Sequence, residues 1–168
     1  MMQGNIAQNK AVAMDIKDVL QLTSETRFIG ELQAKDKEGV LAEMADALLA
    51  GSPITNKETI LEMLKSREAL GSTAVGPGVA FPHGRTLAAQ NLIIVVARSQ
   101  AGVDFDSMDG GPTHLYFMLI APPQDTGNQY IRSLAVLTEK MQDPALRTAT
   151  LQAPDYAAFC QVLTEGQG

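Results

Sequence analysis

The sequence contains few of the residues that indicate a disulfide framework, a nucleic-acid interface or a membrane span. Its one cysteine, Cys160, has no internal partner, which is typical of a reducing compartment. There are 13 basic residues against 19 acidic ones and no Lys/Arg cluster to neutralise phosphates, so we exclude nucleic acid as a partner. No apolar run reaches the ~18 residues of a membrane span, and the first residues lack the regions of a signal peptide. We expect a cytoplasmic protein with no membrane span.

The common motifs of small enzymes are also missing. The two histidines, His83 and His114, lack the paired spacing of a metal site. The acidic stretch 104–109 departs from a calcium loop, because Met108 stands where an oxygen ligand belongs. His114 begins an apolar run, where a structural role is favoured over a place beside a site. Neither nucleotide-binding glycine motif nor a GxSxG elbow is present. We expect no metal and no cofactor.

What the sequence does contain is the pattern of one globular domain. With 168 residues, 45% hydrophobic and 19% charged, the chain can bury a single core of ordinary composition. Residues 1–13 have no strong periodicity, and we expect a disordered tail there, followed by a single domain over residues 14–168.

Helical and strand-like patterns alternate along this domain. The folded part is expected to begin at Met14–Leu20. The elements expected after it are an edge strand within 27–32, a helix from Val40 to Leu48, a helix from a Thr55–Glu58 capping box toward Arg67, a strand at Val79–Phe81, buried strands at Leu92–Ala97 and His114–Ala121, a helix from Tyr130 to Met141, and two short helices from Ala145 onward. The alternation predicts the α/β class, with a single mixed and mostly buried β-sheet flanked by helices. The order of the strands stays open.

The most constrained segment is the glycine- and proline-rich stretch 76–83, which ends on a histidine. Gly76 and Gly78 accept positive φ angles and allow close approach of backbone or ligand, while Pro82 favours an extended chain leading directly to His83. Imidazole is mostly uncharged and nucleophilic near neutral pH, and a nucleophile held in place loses little entropy on reaction. His83 is therefore the first candidate for chemistry. The alternative is a loop histidine bonded to nearby backbone.

Arg67 lies sixteen positions before His83, near the expected C-terminal end of a helix. A guanidinium group presents a fork of donors that fits phosphate oxygens. Ser72, Thr73 and the amides among the glycines, including Gly78, can add further donors to such a phosphate environment. Taken alone, an arginine near a helix end more often serves the helix dipole or a surface carboxylate. Its interpretation therefore depends on the histidine that accompanies it.

The segment Arg67-Glu-Ala-Leu-Gly-Ser-Thr-Ala-Val-Gly-Pro-Gly-Val-Ala-Phe-Pro-His83-Gly-Arg resembles the motif of the type 2 enzyme IIA domains of the bacterial phosphotransferase system (PTS). These domains form the fructose/mannitol class and its nitrogen-regulatory branch. The resemblance extends through Phe105–Gly110 and Ala121-Pro122, and covers the chain from Asp15 to Glu165. It implies an α/β fold with a mixed sheet flanked by helices.

The resemblance also implies a phosphorelay. His83 would accept a phosphoryl group from the phosphocarrier HPr or its nitrogen-branch counterpart, and Arg67 would stabilise the phosphate. The group then passes to a IIB domain, or its presence regulates other target proteins. The sequence of the loop resembles that of the nitrogen-regulatory branch more closely, so we expect mainly a regulator. The alternatives are a fructose-type IIA component that supplies a IIB domain for sugar uptake, and a non-catalytic interaction module with the same fold.

One position departs from the family pattern. Many members carry a second histidine at the start of the helix that follows the Ala-Pro strand, and here that position is Tyr130. A tyrosine donates one hydrogen bond but cannot supply imidazolium charge. The departure bears more on onward transfer to a sugar-specific IIB domain than on phosphorylation itself. Whether His114 compensates is left open by the sequence.

Overall fold

The computed structural model describes residues 14–165, so the expected tail at residues 1–13 lies outside the described range. The helices are α1 (Ile16–Leu20), α2 (Lys37–Leu49), α3 (Lys57–Ala69), α4 (Gln129–Lys140), α5 (Pro144–Gln152) and α6 (Tyr156–Glu165). The strands are β1 (Phe28–Ile29), β2 (Val79–Ala80), β3 (His83–Arg85), β4 (Ile93–Val103) and β5 (Thr113–Ala121).

These strands form a single mixed sheet in the order β1-β4-β5-β2, in which β3 also pairs with β5. The central pair β4–β5 is antiparallel, whereas β1 runs parallel to β4, and β2 and β3 run parallel to β5. The predicted α/β class with a mixed sheet flanked by helices is confirmed, and the short strand after residue 27 is indeed an edge strand.

Two hydrophobic cores cover the sheet, one on each face. Alternate residues of a strand point to opposite faces. Val95 and Tyr116 therefore pack with α2 and α3 on one side, while Ile94 and Phe117 pack with α1, α4, α5 and α6 on the other. This double coverage explains why β4 and β5 are continuous apolar runs in the sequence.

Three local predictions need correction. Helix α3 begins at Lys57 and is capped by Asn56, whose side chain accepts from the Thr59 amide at 3.2 Å, so the capping box at Thr55 is wrong. Strand β4 continues to Val103 instead of ending at residue 97, with a shift of register after Arg98. Residues 83–85 form a strand where the sequence indicated only a loop, because their backbone pairs with the end of β5.

The end of β5 is where the remaining elements converge. His83 pairs there with Leu119, and Gly84 lies so close to Met63 of α3 that a Cβ atom would come within 2.7 Å of its sulfur. The last turn of α3 and the first turn of α4 reach the same edge of the sheet, since residues from both contact His83. The candidate site lies at this junction.

Candidate active site

The imidazole of His83 is half-buried and bonded to the backbone two residues before its strand. Its Nδ1 atom lies 2.7 Å from the Phe81 carbonyl oxygen. A carbonyl oxygen can only accept a hydrogen bond, so the contact assigns the proton to Nδ1. The lone pair is therefore on Nε2, and Nε2 is the nitrogen that can act as a nucleophile.

Arg67 faces that lone pair from the last turn of α3. Its Nε–H donates to Nε2 of His83 at 3.2 Å, and its Nη1 donates to the Gly71 carbonyl oxygen at 2.8 Å. The second bond holds the guanidinium plane, and it depends on a sharp turn in which Gly71 adopts a φ of 145°. The sequence predicted these two residues as partners, and the structure has them in direct contact. A guanidinium donor at the nucleophilic nitrogen is well placed to meet phosphate oxygens.

Tyr130 contacts the imidazole from helix α4. It lies in the first turn of α4, where its amide donates to the Asp125 carboxylate at 2.8 Å. The centroid of its ring is 5.9 Å from that of His83, with the planes at 63°. Burial raises the pKa of the Tyr130 phenol, although the charges of Arg85 and Arg67 act in the opposite direction. The hydroxyl is thus protonated at neutral pH and remains a hydrogen-bond donor.

Arg85 was not among the predicted site residues. Its guanidinium carbon lies 4.9 Å from the centre of the Tyr130 ring, and its Nη1 is 3.4 Å from the carbonyl oxygens of both Pro122 and Pro123. His83 and Arg85 are two positions apart on β3, so their side chains share one face of the sheet. That spacing is the signal in the sequence that would have identified Arg85, had residues 83–85 been predicted as a strand.

Ser72 and Thr73 hold the loop that follows Arg67. Thr73 donates from its amide (3.2 Å) and its hydroxyl to the buried carboxylate of Glu68, which also forms a salt bridge of 2.9 Å with Lys37. The Ser72 hydroxyl donates to the Phe105 carbonyl oxygen at 2.8 Å. Both hydroxyls thus bind other parts of the protein instead of facing the imidazole. Their effect is to fix the turn at Gly71.

His114 and Gly78 lie elsewhere in the fold. His114 precedes Leu119, the partner of His83, by five residues on β5, or about 16 Å of extended strand. Its Nδ1 is 3.0 Å from the Ser99 carbonyl oxygen, and Gly78 lies beside its ring. The structure does not bring either residue to His83, so His114 is not part of the site around the imidazole.

Within residues 14–165, no group of three His, Cys, Asp or Glu side chains is arranged to hold a metal ion. The helices of the same range are all too short or too polar to cross a bilayer. The side chains that the structure brings together around His83 are the imidazole itself, two guanidinium groups and a phenol.

Known proteins have sequences similar to that of this chain. The chain is 32% identical over 145 residues to a nitrogen regulatory protein of Bradyrhizobium diazoefficiens, an overlap of 86% of this chain and 94% of that one. It is 31% identical over 134 residues to the fructose-specific EIIABC component of the PTS of Bacillus subtilis, matching 80% of this chain but spanning only about a fifth (21%) of that protein.

The crystal structure of the nitrogen regulatory protein IIA-Ntr from Neisseria meningitidis superposes with a TM-score of 0.79 at 26% identity, over 85% of this chain and 97% of that one. The family model for EIIA 2 of the phosphoenolpyruvate-dependent sugar phosphotransferase system matches residues 21–166. With the fold and these matches in agreement, the chain belongs to the type 2 EIIA family of the phosphotransferase system.

Proposed function

We propose that this protein is a cytoplasmic phosphorelay protein that accepts a phosphoryl group on Nε2 of His83 from HPr or a nitrogen-branch phosphocarrier. The observation that carries the proposal is the state of the imidazole. Its Nδ1 proton is bound to the Phe81 carbonyl, and its Nε2 lone pair is directed at the Arg67 guanidinium. A nucleophile and a phosphate-binding cation are thus already in contact.

The proposed transfer needs no base. The Nε2 lone pair attacks the phosphorus atom of the donor's phosphohistidine, the donor's P–N bond breaks, and its electron pair returns to the donor nitrogen. The Nδ1 proton stays on His83, where the Phe81 carbonyl stabilises the positive charge that the ring acquires. Arg67 moves its Nε–H from Nε2 to the phosphoryl oxygens as the new P–N bond forms. Positioning and charge stabilisation are what phosphoryl transfer mainly requires.

We propose that the phosphorylated form acts mainly as a regulator of other proteins. The match to a nitrogen regulatory protein supports this, although a fructose-specific EIIA component also matches over 98% of its own length. Tyr130 in place of a second histidine supports it as well. The second candidate, a fructose-type IIA component that passes phosphate to a IIB domain, is supported by the 31% identity to the fructose-specific protein.

Phosphorylation in a reconstituted relay tests the proposal. The protein is incubated with labelled phosphoenolpyruvate, enzyme I and either HPr or the nitrogen-branch carrier. We expect one acid-labile phosphoryl group on the wild-type protein and none on His83→Ala. His114→Gln is the matched control, because His114 is the second of the two histidines and should leave the label unchanged. A wild-type protein that takes no label from either carrier would contradict the proposal and favour the non-catalytic module.

The same reaction separates a regulator from a transport component. Purified IIB domains of the fructose and mannitol classes are added to the labelled protein. We expect the label to remain largely on His83. Rapid chase of the label to one particular IIB domain would overturn the regulatory assignment and support the fructose-type alternative.

A further inference from the structure

We propose that Arg85 is a positioning residue of this site: it holds the Tyr130 ring against His83, so that the Tyr130 hydroxyl donates a hydrogen bond to the phosphoryl group on Nε2. The inference rests on the proposed function of His83. It assigns to Arg85 and Tyr130 together the place that a second histidine takes in many relatives.

The register of β3 places Arg85 beside the nucleophile. Gly84 faces Met63 and helix α3, so the residues on either side of it, His83 and Arg85, project to the opposite face. Tyr130 lies on that face and contacts both side chains, its ring centre being 5.9 Å from the imidazole centre and 4.9 Å from the guanidinium carbon. The phenol ring therefore contacts both an imidazole and a cation.

Arg85 contacts backbone carbonyl oxygens and forms none of the salt bridges found within residues 14–165. Its Nη1 reaches the carbonyl oxygens of Pro122 and Pro123, in the segment that connects β5 to α4. Arg85 is exposed, and these two contacts of Nη1 at 3.4 Å together with the cation–π contact are what orient its guanidinium against the Tyr130 ring.

The Tyr130 phenol is buried beside two positive charges. Burial is the main influence and raises the pKa of Tyr130, while Arg85 and Arg67 both act to lower it. Arg67 bonds to Nε2 of His83 and the Tyr130 ring contacts the same imidazole, so both side chains border the nucleophile. A phosphoryl group on Nε2 would thus meet donors from Arg67 and Tyr130.

A double-mutant cycle tests the inference in the full chain. Initial rates of labelling by the phosphocarrier are measured for wild type, Arg85→Gln, Tyr130→Phe and the double variant. Loss of one hydrogen bond to a charged group should slow labelling about tenfold in Tyr130→Phe. We expect a similar loss in Arg85→Gln and no further loss in the double variant, because Arg85 acts through Tyr130. Lys65→Gln, on the exposed side of α3, controls for the change in net charge.

A second measurement, the pKa of Tyr130, does not depend on phosphoryl transfer. Spectrophotometric titration of the three tyrosines, with Tyr130→Phe as reference, should show that Arg85→Gln raises the pKa of Tyr130, because a charge that favours the phenolate has been removed. Circular dichroism confirms that the variants are folded. An unchanged pKa would overturn the contact on which the inference depends.

The possible outcomes distinguish a failure of the Arg85 inference from a failure of the proposed phosphorelay function. No label on the wild-type protein would overturn the phosphorelay and the inference with it. Label on the wild type with an unchanged rate in Arg85→Gln would overturn the inference alone. Additive losses in the double variant would also overturn it, since they would mean that Arg85 binds the phosphoryl group or the donor directly.

Discussion

At the scale of single residues, Arg67 is held at two points, and each has a separate consequence. Its Nη1 bond to Gly71 fixes the guanidinium plane, and its Nε bond directs a donor at Nε2 of His83. Lysine has the charge but not the fork, so it cannot reproduce both bonds.

We therefore expect Arg67→Ala to slow labelling by roughly tenfold to a hundredfold, the range for a lost hydrogen bond to a charged group, and Arg67→Lys to recover only part of the rate. The measurement is the initial rate of phosphoryl transfer from the carrier, with circular dichroism as the control for folding. A rate in Arg67→Ala equal to that of the wild type would remove Arg67 from the site.

The residues of the site differ in how far the sequence could predict them. The resemblance to type 2 IIA domains paired His83 with Arg67, and the structure has them in contact, while their roles in phosphoryl transfer stay predictions. Ser72 and Thr73 were included because hydroxyls near glycines suit a phosphate, but a sequence does not show which hydroxyls bind buried groups such as the Glu68 carboxylate. Arg85 was missed because three residues after a proline give no strand signal by themselves.

At the scale of elements, helix α3 matters because its last turn carries Arg67 and its start was mispredicted. Thr55 and Asn56 are adjacent, both have a side-chain oxygen suited to an N-cap, and Glu58 has the capping-box spacing from Thr55. The structure selects Asn56, which follows the buried Ile54 by two residues. Local sequence gives nearly the same signal for both, and the packing of the preceding segment decides between them.

The N-terminus of α3 allows a direct comparison of Asn56 and Thr55 as capping residues. We expect Asn56→Ala to lower the free energy of unfolding by about 1 kcal/mol, because the Thr59 amide loses its acceptor. Thr55→Ala should change it by less than about 0.5 kcal/mol, as is usual for an exposed residue. Urea titrations of both variants make the measurement. A larger loss of stability in Thr55→Ala than in Asn56→Ala would support the capping box at Thr55 and contradict the cap at Asn56.

At the scale of the whole molecule, the central strands could be predicted and their arrangement could not. The continuous apolar runs predicted that β4 and β5 are covered on both faces, because a strand that is buried on both sides has apolar residues at successive positions. The pairing of β3 with the end of β5, which brings His83 to Tyr130, depends on contacts between residues more than 30 positions apart. No local pattern specifies such contacts, so the site emerges only when the sheet is assembled.

The buried tyrosines make the stability of the fold depend on pH in the alkaline range. Tyr116 is fully buried between the sheet and its helices, and burial raises the pKa of its phenol well above the usual 10. Above pH 10 the unfolded chain therefore releases a proton that the native protein retains, so stability is intact below about pH 10 and falls as the pH rises further.

Each such tyrosine contributes up to about 1.4 kcal/mol per pH unit to this fall. Tyr116→Phe keeps the aromatic contact with Phe105 but loses the hydroxyl that donates to the Thr113 carbonyl oxygen at 3.1 Å. We expect the variant to be slightly less stable at pH 8 and to lose stability less steeply between pH 10 and 11.5. Urea unfolding across that range makes the comparison, and the difference between the two proteins cancels the titration of lysines and of the other tyrosines. Parallel curves would mean that the Tyr116 phenol ionises equally readily in the folded and unfolded chains, against its position in the core.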